Sequence, residues 1–115
     1  VAAYSGVATT GGIADIASSA DTAATQQHAS PSITAPDGAW VVQLWADKST
    51  STAAWTPPSG VTSRGTSFGT GSGHTSALLA DSGAPVAAGT YGGGVASTDA
   101  SSAKGVAWTI ALKSS

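Results

Sequence analysis

The chain has 115 residues, a formal net charge of -2 and only 9% charged side chains, so length allows one domain and charge excludes a phosphate-tracking surface. Ala (24), Ser (18), Thr (15) and Gly (15) make up 72 of the 115 residues, while Val, Ile, Leu and Phe together number 17. So few large apolar groups would suit disorder if the charge were high; at this low charge they describe an ordered, thinly cored chain.

Period-two alternation dominates. In chain order the predicted strands are Val1–Tyr4, Ile13–Ser18, Ser30–Ala35, Ala39–Asp47, Ala53–Thr56, Val61–Phe68, His74–Asp81, Tyr91–Ser97 and Gly105–Lys113. Helical spacing of Ile13, Ile16, Ala17, Ala20 and Ala24 competes at the second of these. The Ser and Thr residues that follow favour a short strand and a loop, with Thr22–His28 as the one linker-like stretch. Ala39–Asp47 carries apolar groups on both faces, which marks a central strand. In Gly105–Lys113 the residues Val106, Trp108, Ile110 and Leu112 share one face, expected to be the core. Turn signals at Pro36-Asp37-Gly38, Pro57-Pro58-Ser59-Gly60 and Asp81-Ser82-Gly83-Ala84-Pro85 separate the strands. Many short strands at this spacing predict an all-β fold, an antiparallel β-sandwich.

The stretch Trp40–Ser49, then Trp55–Arg64, Leu78–Pro85 and Trp108–Leu112 resembles the C-terminal half of a jelly-roll-like β-sandwich module. Such modules occur in secreted proteins of actinobacteria and in minor tail proteins of their phages. The resemblance implies an extracellular or virion-surface location and one domain over residues 1–115, and it implies no catalytic residues. The module's first half has no counterpart in these residues. That predicts an exposed apolar sheet face around Trp40 and Trp108 and a partner chain to cover it, either a second copy or the missing half.

Several short patterns hold residue types that can do chemistry. Gly65-Thr66-Ser67-Phe68-Gly69 matches a nucleophile elbow, but no acidic residue lies between Ser67 and His74, the one later histidine. Gly69–His74 lacks the Lys-Ser/Thr ending of a phosphate loop. The protein is therefore expected not to be an enzyme and to need no cofactor. Without Cys, His28 and His74 make no zinc site and read as loop residues. Asp47, Asp81 and Asp99 could share a calcium ion only if the fold brings them together. Trp45 lies opposite the expected core face and Trp55 stands at a strand end. With Tyr91 they form the candidate ligand platform, and Gln43 and Asp47 share the face of Trp45 as hydrogen-bonding groups. A flat ring beside polar groups suits a sugar, so the sequence points to a non-catalytic binding module for a glycan or cell-surface polymer. A structural module of a phage tail or surface filament is the alternative. Neither nucleic acid nor a membrane span is expected.

Overall fold

The computed structural model describes residues 1–115 and contains ten strands and no helix. They are β1 (Ile13–Ala20), β2 (Thr25–Ala29), β3 (Ser32–Ala35), β4 (Trp40–Ser49), β5 (Trp55–Thr56), β6 (Thr62–Phe68), β7 (His74–Asp81), β8 (Gly89–Gly92), β9 (Val95–Ser102) and β10 (Gly105–Leu112). Every pairing is antiparallel. One layer is a five-stranded sheet in the order β1-β10-β4-β7-β6. The opposing layer is made of two smaller sheets, β2-β9-β5 and β3-β8. The sandwich expected from the turn spacing is therefore formed within this one chain.

The strand signals held best where alternation was longest. Strand β7 has the predicted bounds, and β4 and β10 lie within two residues of theirs. Three expectations are corrected. Val1–Tyr4 is irregular, the predicted Tyr91–Ser97 strand is split between β8 and β9, and the supposed linker Thr22–His28 contains most of β2. The split has a local cause. Gly92 and Gly93 have φ of 99° and 74°, and a Cβ on Gly92 would run into the Pro31 carbonyl. Only glycine lets the chain turn there while passing this close to another backbone. The linker misreading arose because β2 is polar and pairs along only one edge, with β9, so it carries no apolar alternation.

The larger correction concerns which face is inside. Trp45 and Trp55 are core, at 0% and 8% exposure, while Trp108 is 39% exposed and Trp40 is half-buried. Trp45, Trp55, Leu78, Ala80, Ala96 and Ala107 form one buried cluster, and Ile33, Ala35, Ala39, Val41 and Ala111 form a second. The register explains the inversion. Trp45 stands opposite both Ala107 and Leu78, Val41 opposite Ala111, and Asp47 opposite Gly105. The bulky inward rings come from β4 and β5, so the positions facing inward on β10 must be Gly, Ala and Thr. Alternation separates the two faces of β10, and the neighbouring strand decides which one is buried.

Candidate functional site

The expected platform is not a surface. Trp45, Trp55, Gln43 and Asp47 are all buried between the layers, and Tyr91 is half-buried against the second core cluster. Gln43 and Asp47 do share a face with Trp45, as predicted, but that face points inward. Their polar groups are used internally. The Ser30 hydroxyl donates to Gln43 Oε1 at 2.6 Å. Asp47 accepts from Ser76 Oγ at 2.5 Å and Thr52 Oγ1 at 2.6 Å, and Trp55 Nε1 donates to Ser76 Oγ at 2.7 Å. The Tyr91 hydroxyl donates to the Ala87 carbonyl. These bonds let polar groups lie inside the sandwich without a large desolvation cost.

The three aspartates proposed for calcium do not converge. Asp47 is held by hydroxyls, Asp81 by Tyr4 and Arg64, and Asp99 by the Ala53 and Ala54 amides. No group of three or more His, Asp or Glu side chains is assembled to hold a metal ion. Ser67 lies within β6, opposite Ala77, so it lacks the strand-to-helix turn of an elbow. His74 is instead directed at two carbonyls. Its Nε2 is 2.9 Å from the Thr52 oxygen and its Nδ1 is 3.1 Å from that of Gly71. Carbonyls only accept, so both ring nitrogens are best satisfied when protonated, and these bonds raise the pKa above its usual 6.5.

His28, expected in a loop, is buried at 2% exposure. Its Nδ1 lies 2.5 Å from Asp21 and its Nε2 lies 3.1 Å from Thr98 Oγ1. This has the connectivity of an Asp-His-Thr relay, yet its setting is structural. The Thr98 hydroxyl donates to the Ala100 carbonyl at 2.8 Å and is itself buried. The His28 ring packs on Trp55 with centroids 5.3 Å apart. Gly105 leaves the space the pair occupies, because a Cβ there would collide with Asp21 and lie 2.8 Å from His28 Nδ1.

Two surface features stand out. The first is the outer face of the five-stranded sheet. In register across it lie Ile16, Ile110 and Val42, then Trp108, Leu44 and Leu79, then Val106, Ala46 and Ala77. Ile16 and Val106 are each 45% exposed. Its charges are confined to the margins: Asp81 and Arg64 pair at one corner, and Lys48 stands at the far rim.

The second is a cavity of about 550 Å³ at the end of this sheet, beneath the strap Val1–Val7. Tyr4 crosses over the sheet end, its ring 6.1 Å from that of Trp40 and its hydroxyl donating to Asp81 Oδ2 at 2.8 Å. Arg64 clamps the same carboxylate through Nε at 2.7 Å and Nη2 at 3.0 Å, and the Gly83 amide adds a fourth bond. Burial pushes the Asp81 carboxyl up, but the bonds from Arg64, Tyr4 and Gly83 outweigh it and hold the group below the usual range. The Tyr4 hydroxyl is pushed up to about 12, first by burial and then by its bond to Asp81.

Comparison with protein-family models, curated proteins and solved structures finds no match. Alternation gave no means of finding this cavity, because it depends on Tyr4 and Arg64 meeting Asp81 across 77 and 17 residues.

Proposed function

We propose that the protein is a non-catalytic assembly module whose outer sheet face packs against a second copy of the same chain. The observation that carries this reading is the uncovered face built from Ile16, Ile110, Trp108, Leu44, Leu79 and Val106. The small residues of the chain fill its interior, while several of its bulkiest groups stand outside. At about 4.8 Å between strands and 3.4 Å per residue, these apolar rows measure roughly 20 by 20 Å. Two such faces would bury about 800 Å² in total, the size of a weak, concentration-dependent contact rather than of a permanent one. Near-absence of charge allows the face to meet its own copy without like-charge repulsion. Sheet-on-sheet packing about 10 Å apart is the ordinary geometry for such a contact.

This favours the assembly reading over glycan binding. Trp108 is the one well-exposed indole on the face; its neighbours in register are Leu44 and Ser18, so a single hydroxyl and no amide or charged group stands directly beside it. The resemblance to secreted and phage-tail modules agrees with this role, and we extend its extracellular or virion-surface location to this chain. It also suggests that the finer topology is jelly-roll-like. Sedimentation velocity over a concentration series tests the proposal. The expected result is a monomer–dimer equilibrium that Trp108→Ser with Ile16→Thr shifts to monomer without loss of fold. A wild-type chain that stays monomeric at several hundred micromolar (a weak dimer having a Kd of roughly 10–100 µM) would overturn it.

A further inference from the structure

We infer that the cavity under the Val1–Val7 strap is a binding site for a small organic carboxylate with a flat or apolar body. This rests on different residues from the open rows of the sheet face and does not depend on dimer formation. The cavity's volume of about 550 Å³ is in the range of small-molecule sites. Its walls combine the two features such a ligand needs. Tyr4, Trp40, Pro85 and Leu112 supply an apolar lining with two aromatic rings tilted at 54°. Arg64 and Lys113 supply positive charge.

The state of Arg64 decides the sign of the ligand. A guanidinium has five N–H groups, and Asp81 takes only two of them, one from Nε and one from Nη2. Of the remaining three, one on Nη1 and one on Nη2 form the outer edge, and the side chain is 41% exposed. Asp81 is meanwhile 1% exposed and accepts four hydrogen bonds, so it has little capacity left to attract a cation. The pair therefore works as one unit. Asp81 fixes the guanidinium plane, and the free edge offers paired donors that match a carboxylate. Preorganisation of this kind lowers the entropic cost of binding. Lys113, on the same lining, adds a second cation without a carboxylate partner of its own.

The test uses benzoate as probe and benzamide as its neutral isostere, followed by ¹H–¹⁵N NMR on the full chain. Benzoate is expected to bind saturably with a Kd on the order of 1 mM. The shifts should centre on Arg64 Nε, the Trp40 indole and residues 4–7, and benzamide should bind at least about tenfold more weakly. Added salt should weaken benzoate alone. Arg64→Gln should abolish binding. That variant also loosens the strap, so Lys113→Gln, whose side chain makes no bond to Asp81, is the control and is expected to weaken benzoate severalfold, as is Trp40→Leu. Equal affinity for benzamide, shifts centred on Trp108 instead, or no saturable binding up to roughly 20 mM would each overturn the assignment. None of these results bears on dimerisation through the sheet face.

Discussion

Trp45 and Trp55 lie in one core cluster, yet their indole N–H groups differ. Trp55 Nε1 donates to Ser76 Oγ at 2.7 Å, whereas Trp45 Nε1 is buried without an acceptor. Replacing either ring by Phe removes a similar number of buried atoms and leaves a similar void, at a cost of about 1.5–2.5 kcal/mol. At Trp45 the change also removes an unpaired buried donor, which returns about 1–3 kcal/mol. At Trp55 it instead removes a made hydrogen bond, adding about 1 kcal/mol. Trp45→Phe should therefore be nearly neutral, and Trp55→Phe should lie roughly 2–4 kcal/mol below it. For a domain of this size each kcal/mol moves Tm by about 4 °C, so the two variants should melt roughly 8–16 °C apart. Thermal unfolding by circular dichroism, with urea titrations as a check, measures the gap. Equal losses, or a larger loss at Trp45, would refute the reasoning, because the void is common to both and only the N–H differs.

Gly105→Ala should destabilise by roughly 2–4 kcal/mol, because the added methyl displaces the Asp21–His28 pair; urea unfolding would measure it, and a change under about 0.5 kcal/mol would contradict the packing. The raised pKa of His74 gives stability that is fully present below about 6.5 and fades as pH rises through the folded value. NMR titration of the His74 ring should show a midpoint above 6.5, and His74→Gln should remove that alkaline loss; a midpoint at or below 6.5 would reverse the sign. Asp81 works in the opposite direction. Its lowered carboxyl contributes stability above about 3.8 that is lost as pH falls through the folded value, and Asp81→Asn should flatten this acid limb of the stability profile. Tyr4→Phe removes the bond between the strap and Asp81, so limited proteolysis should cut within residues 1–7 faster while the sheets stay protected.

The amino-acid sequence by itself determined the fold class. Alternation in Ala39–Asp47, His74–Asp81 and Gly105–Lys113, with Gly- and Pro-marked turns between, is a local property that any antiparallel sheet expresses. It also placed Gln43, Trp45 and Asp47 on one face, because side-chain direction along a strand has period two. The sequence could not say which face was buried, and here the tertiary structure reversed the expectation. Burial depends on volume matching across strands far apart in the chain: Ala107 faces inward because Trp45 fills the space beside it, and Trp108 is pushed outside as a result. The polar strand β2, the His28–Asp21 pair and the half-open cavity lined by Tyr4, Arg64 and Asp81 were equally out of reach of local pattern, since each is made by residues brought together only by folding. What began as a shortage of large apolar residues is therefore a question of distribution. A thin interior suffices because Gly, Ala, Ser and Thr let the layers close, and the bulky groups left over form the outer face.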